Sequence, residues 1–301
     1  MTTSHEAQRW HAESRRPMGE LPLRLWPHSA VSRDAMKTYA WLTDPHLNFL
    51  SDEALTGFLE GVAAQDVDGL MLTGDIAEAS SLVPIMSRLD ESLPFPVYFV
   101  LGNHDYYGSS VRSTREMIAQ WARDSERCHW MPQADVISLS DTTALVGHSG
   151  WGDGRVGDFL GSSISLNDYR QIEDLSALSK DALFSRLQAL GSEAASYLQD
   201  TLERALESHD EVILLTHVPP FLEACWYQGQ AILGEWTPHF TCGAVGDVLR
   251  SVMSSHPNKY LRVYCGHTHN GGVAQVLPNL RVDTGDAEYH QPALLSPIRV
   301  S

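Results

Sequence analysis

Short apolar runs alternate with segments of helical spacing along most of this 301-residue chain. The apolar runs predict strands at 38–43, 69–73, 97–101, 136–139, 144–147, 211–216 and 260–264. The other patterns predict helices near 51–65, 79–92, 111–124 and 243–255. Because strands that alternate with helices pair in parallel through crossover connections, this order predicts a layered α/β fold with a largely parallel central sheet.

The segments outside this alternation set the predicted domain organisation. Leucines at helical spacing predict a helix over 179–208, with a break at Gly191. Residues 1–36 carry several prolines and no sustained periodicity, so we expect an irregular N-terminal extension there. Residues 37–301 are expected to form one domain, with an insertion at 148–178.

Net charge limits the partners that the chain can bind. The sequence has 21 Lys and Arg against 38 Asp and Glu, which gives a formal charge of −17. A net acidic surface repels phosphate polymers, so long nucleic acid is not an expected partner. Any phosphate chemistry would need a local positive field.

Cysteine usage and the length of the apolar runs indicate the compartment. The four cysteines form no Cys-x-x-Cys pair, which fits neither a disulfide framework nor a structural zinc knuckle. Residues 1–20 are polar, and apolar runs such as 97–101 are far shorter than a membrane span. We therefore expect a cytoplasmic protein with no membrane segment.

Side chains that bind metals follow the carboxyl ends of the predicted strands. Thr43-Asp44-Pro45-His46 follows the first strand, Gly74-Asp75 the second, and Gly102-Asn103-His104-Asp105 the third. Thr216-His217 and Gly266-His267-Thr268-His269 follow two later strands. In open α/β sheets the loops from separate strands converge at this edge, and ligands bind there. The side chains expected to meet are Asp44, His46, Asp75, Asn103, His217, His267 and His269.

Seven oxygen and nitrogen donors are too many for one tetrahedral ion. They suit two ions that share a carboxylate, each with an open position for water or substrate. Imidazole together with carboxylate favours manganese, iron, zinc, nickel or cobalt, and the absence of thiolate disfavours a closed structural zinc site. The donors therefore predict two divalent or mixed-valence metal ions, whose identity the sequence leaves open.

These motifs, with their flanking strands, resemble the motif set of the calcineurin-like metallophosphoesterases. The resemblance covers residues 38–269 and rests on Asp44-x-His46, Gly74-Asp75, Gly102-Asn103-His104-Asp105, His217 and Gly266-His267-x-His269. It implies an αββα sandwich of two mixed β-sheets flanked by helices, with the metal site at the carboxyl ends of the strands. It also implies that Asp44, His46, Asp75 and His269 hold one metal. The second metal would be held by Asp75, as the bridging ligand, with Asn103, His217 and His267.

The same resemblance implies a proton donor. In the family, the histidine at the position of His104 faces the leaving-group oxygen and donates a proton to it, which is general acid catalysis. Glu78 stands where family members often carry an acid that orients this histidine, although aspartate is usual there in the protein-phosphatase branch. Glu78 is therefore either an orienting residue or a solvated acid at the start of a helix.

Residues and resemblance together predict a metal-dependent hydrolase of a phosphomonoester or phosphodiester, in which a metal-bridging hydroxide attacks phosphorus. The acidic composition favours a small phosphorylated substrate or a nucleotide. One alternative is a nuclease or a cyclic-nucleotide phosphodiesterase. A non-catalytic metal-binding scaffold is the alternative from another class, although such proteins usually lose ligand residues and this chain keeps the whole set. The sequence leaves the oligomeric state open.

Two segments offer candidate substrate contacts. Arg155, in a Gly-rich stretch, is either a bidentate phosphate ligand or part of a surface loop. Trp226 and Tyr227 lie between two ligand motifs, where they either stack on a nucleobase or an aryl leaving group or pack into the core.

Overall fold

The computed structural model describes residues 36–231 and 234–301. The predicted N-terminal extension therefore lies outside the described residues, apart from Met36, and the division of the chain at residue 36 stays a prediction. In chain order the described strands are β1 Lys37–Leu42, β2 Gly69–Thr73, β3 Val97–Val100, β4 Cys128–Trp130, β5 Ile137–Ser138, β6 Thr143–Gly147, β7 Glu211–Leu215, β8 Trp226–Tyr227, β9 Gln230–Ala231, β10 Tyr260–Cys265, β11 Gly272–Leu277, β12 Leu280–Thr284 and β13 Leu295–Val300. The α-helices are α1 Asp52–Ala63, α2 Ala79–Ser92, α3 Val111–Asp124, α4 Met131–Ala134, α5 Asp168–Gln171, α6 Lys180–Ser208, α7 Thr237–Phe240 and α8 Gly243–Ser255.

Serine side chains begin three of the long helices. The hydroxyls of Ser51, Ser110 and Ser179 each accept a hydrogen bond from the backbone N–H three residues later. Such N-caps satisfy donors that the first helical turn leaves unpaired, which fixes where each helix begins. The helices predicted from apolar spacing at these places are confirmed.

Two large mixed sheets form the centre of the fold. The first has the strand order β13-β1-β2-β3-β4 and the second β11-β12-β10-β7-β6-β5. Strands β1 to β4 are parallel, and β13 joins the edge of β1 antiparallel. In the second sheet β12, β10, β7 and β6 are parallel, and β11 and β5 run antiparallel at its two edges. The carboxyl ends of the central parallel strands therefore lie together at one edge of each sheet.

The two sheets pack face to face, and helices cover their outer faces. Within β1, Tyr39 and Trp41 contact residues of the second sheet such as Leu215, whereas Ala40 and Leu42 face the helices on the other side. A third cluster joins α6 and α8 to the outer face of the second sheet. Alternate residues of one strand thus enter two apolar layers, which explains the uninterrupted apolar runs of the sequence. The predicted αββα sandwich is confirmed.

The predicted break at Gly191 is wrong, because α6 runs through it without interruption from Lys180 to Ser208. A Cβ atom at Gly191 would lie 2.5 Å from the Cβ of Asp153. The glycine therefore lets the helix approach a buried side chain of the segment predicted as an insertion.

The sequence analysis did not predict strands β4, β11, β12 and β13. Their sequences mix apolar and polar residues, and β13 contains Pro297. Proline is tolerated there because β13 lies at the edge of its sheet, where one side of the strand needs no partner. Among the described residues, no helix combines the length and apolar character needed to cross a bilayer.

Candidate metal centre

The loops that follow five parallel strands place the predicted ligands. Asp44 and His46 follow β1, and their backbone N–H groups donate to the carbonyl oxygens of Gly74 and Asp75 at 3.1 and 3.0 Å. The loop after β2 is thereby attached to the loop after β1. Asp75 Oδ1 in turn accepts from the backbone N–H of His104, in the loop after β3, at 2.9 Å. Neighbouring loops of the first sheet therefore hold one another in place.

Asp44, His46, Asp75 and His269 form one group of donors. Their ligand atoms all lie within 4.8 Å of one another, and all four residues are buried. His46 Nε2 lies 3.3 Å from His269 Nε2, and His269 Nε2 lies 3.4 Å from Asp44 Oδ1. This set of two imidazoles and two carboxylates is able to hold a metal ion.

His217, Asn103 and His267 lie on the other side of Asp75. His217 Nδ1 donates to the Thr73 carbonyl at 2.9 Å, so its Nε2 carries a lone pair. That lone pair faces Asn103 Oδ1 at 3.0 Å and Asp75 Oδ1 at 3.4 Å. Asn103 Oδ1, His217 Nε2 and Asp75 Oδ1 are thus brought together in a buried site, where each could serve as a ligand atom for one cation.

Asp75 joins the two groups of donors. Its Oδ2 lies 3.8 Å from His46 Nε2, and its Oδ1 lies 3.4 Å from His217 Nε2. Each carboxylate oxygen therefore faces one group, as a bridging ligand requires. The structure brings all seven predicted ligands to one edge of the two sheets, and their donor set fits the metals that the sequence predicts.

Burial and neighbouring charges set the protonation of these ligands. Burial lowers the pKa of His46, His217 and His267 below the usual range of histidine. These imidazoles are therefore neutral near pH 7, which is the form that binds metals. Burial by itself would raise the pKa of Asp44, but His217 and His269 bring it well below its usual range. Burial and the charge of Asp44 raise the pKa of Asp75.

Comparisons with known proteins show the family to which the chain belongs. A family model described as calcineurin-like phosphoesterase matches residues 37–271. The chain belongs to the calcineurin-like phosphoesterase family. The resemblance seen in the sequence motifs is thereby confirmed. A comparison with curated proteins finds no match.

Solved structures show the same calcineurin-like fold. Phosphopantetheinyl hydrolase from Mycobacterium tuberculosis superposes with a TM-score of 0.57 at 15% sequence identity, over 86% of this chain and 95% of that chain. A dimetal phosphatase from Danio rerio gives a TM-score of 0.52 at 16% identity, over 83% of this chain and 87% of that chain. At these identities the likeness shows the fold alone.

Five of the predicted ligand residues of this calcineurin-like phosphoesterase have left-handed backbone conformations. Their φ angles are 46° at Asp44, 41° at His46, 51° at Asp75, 71° at His267 and 54° at His269. This region costs a residue with a side chain about 1–2 kcal/mol. The sharp turns that it produces direct side chains from the strand ends back toward one point.

Glycines beside the ligands allow the loops to approach closely. A Cβ atom at Gly266 would overlap the carboxylate of Asp44 and the hydroxyl of Thr43, and one at Gly102 would overlap Asp75 Oδ1. Each glycine thus leaves the space that a ligand side chain occupies.

Replacement of Gly102 by alanine is therefore expected to displace Asp75 and to weaken Mn²⁺ binding by about 10–100-fold, as loss of ligand support does elsewhere. Isothermal titration of the full chain with Mn²⁺ measures this. The matched control is Gly57→Ala in α1, where a Cβ meets no atom within 4 Å. The control should bind Mn²⁺ normally and gain about 0.5–1 kcal/mol in the free energy of unfolding. Normal Mn²⁺ affinity in Gly102→Ala would contradict the close-approach argument.

His104 lies at the edge of the donor set. Its Nε2 is 3.9 Å from Asp75 Oδ2, and its side chain is 18% exposed. Its ring stacks on Tyr107 with centroids 4.3 Å apart. The histidine predicted as proton donor therefore reaches both the cluster and solvent.

Glu78 begins α2, where its backbone N–H donates to Ser81 Oγ at 3.4 Å and its carbonyl accepts from the same hydroxyl at 3.1 Å. Within the described residues, no hydrogen bond joins Glu78 to His104. This position matches the reading of Glu78 as an acid at the start of a helix.

The sequence analysis missed the role of Asp105. Its buried carboxylate accepts from the backbone N–H groups of Ile76 and Ala77 at 3.0 and 2.8 Å, and from that of Gly102 at 2.7 Å. Burial raises its pKa to about 7 despite these bonds. Asp105 therefore links the loops after β2 and β3, and its place at the end of the Gly-Asn-His-Asp motif was the available signal.

The three residues predicted as substrate contacts bind or pack against other parts of the protein. The Arg155 guanidinium donates to Asp153 at 2.8 Å, to the Gln188 carbonyl at 3.2 Å and to Ser192 at 2.7 Å. Trp226 packs directly against Gly272, and the Tyr227 hydroxyl accepts from Gln228 at 3.2 Å. Arg155 thus contacts α6, and Trp226 belongs to the packing of the second sheet.

A different set of rings borders the metal centre. Tyr289 lies 4.5 Å from His46 and 4.7 Å from His269 between ring centroids. Phe49, which is 38% exposed, lies 5.8 Å from Tyr289 and 5.4 Å from His290. We call Phe49, Tyr289 and His290 the aromatic rim. This rim could not be predicted from the sequence, because Tyr289 and His290 follow β12 far from any of the predicted ligand motifs.

Proposed function

We propose that this chain is a metal-dependent hydrolase of phosphoesters that acts on a small phosphorylated molecule or a nucleotide. The observation that carries the proposal is the convergence of possible ligand atoms from Asp75, Asn103 and His217 in a buried site beside the group formed by Asp44, His46 and His269. Membership of the calcineurin-like phosphoesterase family supports the reaction class. The choice of a small phosphorylated molecule or a nucleotide as the substrate goes beyond family membership and is part of the proposal.

Two metal ions account for the seven donors better than one. Asp44, His46, Asp75 and His269 would hold one ion. Asp75, Asn103, His217 and His267 would hold the other. When bound, two such cations bind phosphate oxygens and lower the pKa of a water between them, so that a nucleophile exists at neutral pH.

His104 is proposed to complete the reaction as a proton donor. Its Nε2 faces the cluster near Asp75 Oδ2, so a proton there can pass to the leaving-group oxygen of a bound phosphoester. Because the Tyr107 ring packs against one face of the imidazole, the ring plane is held while Nε2 stays accessible.

Charge supports a small substrate. With a formal charge of −17, the protein repels an extended polyanion, and the positive field is confined to the metals. A phosphate group on a small molecule reaches that field without bringing a long row of other charges to the acidic surface.

The aromatic rim supports an aromatic leaving group. Tyr289 packs on His46, and Phe49 extends the ring surface outward from the cluster to the exposed His290. A planar aryl group or nucleobase attached to the phosphate can lie on such a surface, and stacking of this kind contributes about 1–3 kcal/mol per base.

A substrate panel tests this function. The full chain, loaded with Mn²⁺ or Zn²⁺, is expected to hydrolyse phenyl phosphate faster than glycerol phosphate, with bis(4-nitrophenyl) phosphate, a cyclic nucleotide and single-stranded DNA as the other arms. Chelation should abolish turnover and added metal should restore it. Phe49→Ala should reduce the ratio of kcat/KM for phenyl phosphate over glycerol phosphate by about tenfold.

The control for the rim is Leu160→Ala, which removes another exposed apolar side chain, 48% exposed, that is not a member of the aromatic rim. It should leave the ratio unchanged. Turnover of single-stranded DNA as the best substrate would instead favour the nuclease alternative. A metal-loaded chain that hydrolyses nothing in the panel would leave the scaffold alternative in place and overturn the proposal.

A further inference from the structure

Asp168 is a buried carboxylate in the segment that the sequence predicts as an insertion. It is 5% exposed, and its Oδ1 accepts hydrogen bonds from Asn103 Nδ2 at 2.9 Å and from the Tyr107 hydroxyl at 2.6 Å. One carboxylate oxygen therefore contacts a predicted metal ligand and the residue next to the predicted proton donor. Burial raises the pKa of Asp168, while both donors favour its charged form.

The first contact fixes which end of the Asn103 amide faces the metals. Because the Asn103 amide nitrogen donates to Asp168 Oδ1, the amide oxygen of Asn103 lies on the opposite side, away from Asp168. That oxygen faces His217 Nε2 at 3.0 Å. Only the oxygen end of an amide binds a hard or borderline cation, so a flipped Asn103 would present two N–H groups to the metal and lose it.

The second contact fixes the ring that supports His104. Tyr107 is 5% exposed, and its ring lies 4.3 Å from the His104 ring at an interplanar angle of 27°. Since its hydroxyl donates to Asp168, the tyrosine cannot swing away from the histidine without breaking a buried hydrogen bond.

We propose that Asp168 is a positioning residue that couples the Asn103 side of the metal centre to the His104 proton donor. For the role of His104 the proposal rests on the proposed function. The expected effect on metal binding depends only on the orientation of Asn103. The segment that carries Asp168 thereby becomes part of the site, although it contributes no ligand.

Other bonds hold this segment in place independently of Asp168. The backbone N–H of Gly108 donates to the Gln171 carbonyl at 2.9 Å, and that of Glu173 donates to the Ser109 carbonyl at 3.0 Å. Asp174 also accepts from the backbone N–H of Val111 at 2.8 Å. Substitution of Asp168 is therefore expected to change the site without detaching the segment.

Three variants separate the two contacts. Asp168→Ala removes both, and it is expected to weaken binding of one of the two Mn²⁺ equivalents by about 10–100-fold, the usual effect of losing a partner of a ligand. Asp168→Asn retains an acceptor oxygen for both donors and should recover most of that affinity. Tyr107→Phe removes only the hydroxyl, so it should bind Mn²⁺ normally.

Turnover supplies the second readout. For Tyr107→Phe, the ratio of kcat for glycerol phosphate over 4-nitrophenyl phosphate should fall about tenfold, because only the poor leaving group needs a well-placed proton. Asp174→Ala is the matched control, since it removes a carboxylate of the same segment whose hydrogen bonds come from Val111 and Arg186 instead of from Asn103 and Tyr107. The control should change neither Mn²⁺ affinity nor the ratio.

Isothermal titration with Mn²⁺ tests the expected effect of Asp168 on metal binding without any measurement of turnover. Unchanged affinity in Asp168→Ala, or equal losses in Asp168→Ala and Asp174→Ala, would overturn the positioning role. Failure of the wild-type chain to hydrolyse any substrate while it binds two Mn²⁺ equivalents would refute the proposed function, and the titration would still judge Asp168. A wild-type chain that binds no Mn²⁺ would overturn both.

Discussion

Replacement of Asp75 by asparagine is expected to reduce the bound metal from two equivalents to at most one and to lower phosphoester hydrolysis by about 10³-fold. The reason is geometric. Asp75 Oδ2 faces His46 at 3.8 Å and Oδ1 faces His217 at 3.4 Å, so one substitution affects both groups of donors. Metal analysis of the purified full chain, together with kcat on phenyl phosphate, measures the two losses.

Thermal unfolding distinguishes loss of the bridge from loss of the fold. Without metal, Asp75 and Asp44 are buried carboxylates, and burial together with the charge of Asp44 raises the pKa of Asp75. The metal-free Asp75→Asn variant should therefore have a Tm equal to or above that of the metal-free wild type. Its Tm should rise much less when Mn²⁺ is added, because a ligand stabilises only the state that binds it.

The matched control is Asp90→Asn, which changes a carboxylate that accepts from Ser125 and Arg127 away from the cluster. It should keep two equivalents of metal and normal turnover. Retention of both equivalents by Asp75→Asn would exclude the shared-ligand arrangement.

Replacement of His104 by alanine is expected to have an effect that depends on the leaving group. Loss of a general acid lowers the rate by about 10²–10⁴-fold when the leaving oxygen must be protonated, as it must with glycerol phosphate. Nitrophenolate leaves without a proton, so hydrolysis of 4-nitrophenyl phosphate should fall far less. The slope of log kcat against leaving-group pKa, measured over a series of aryl and alkyl phosphates, should become steeper in the variant.

A histidine away from the site supplies the control for this series. His129 stacks on Tyr98 on the first sheet. His129→Ala should leave the slope unchanged, and metal content should be normal in both variants. An equal loss on every substrate would assign His104 to metal or substrate binding instead of proton donation.

The convergence of the predicted ligands could be inferred from the sequence because each of them follows an apolar run. Asp44, Asp75 and Asn103 come directly after β1, β2 and β3, and parallel strands bring their carboxyl ends to one edge whatever the loops do. The place of each predicted ligand in the sequence, just after a strand, therefore predicts that it lies at this edge of the sheet. The same reasoning placed His217 and His267 after β7 and β10.

Contacts made by segments between the strands could not be predicted in this way. Asp168 lies in a stretch without periodicity, and its meeting with Asn103 depends on the path of a long connection. Gly191 resembles a helix breaker in the sequence, but it faces Asp153 and serves close packing. The sequence left Arg155 as a phosphate ligand or part of a surface loop, and only the fold shows that its guanidinium donates to Asp153, Gln188 and Ser192. Residue type alone does not determine which group a side chain contacts, because the folding of distant segments decides which groups lie near one another.

The left-handed backbone at the predicted ligands sets the conformational stability of the fold against the proposed metal binding. Over the five residues Asp44, His46, Asp75, His267 and His269, the conformational cost amounts to about 5–10 kcal/mol, which equals the net stability of many domains. Glycine at any of these positions would relieve the cost, and it would also remove a donor. The side chains proposed to bind metal therefore stand at positions where glycine would be the less strained residue, so conformational stability and the proposed metal binding favour different residues there.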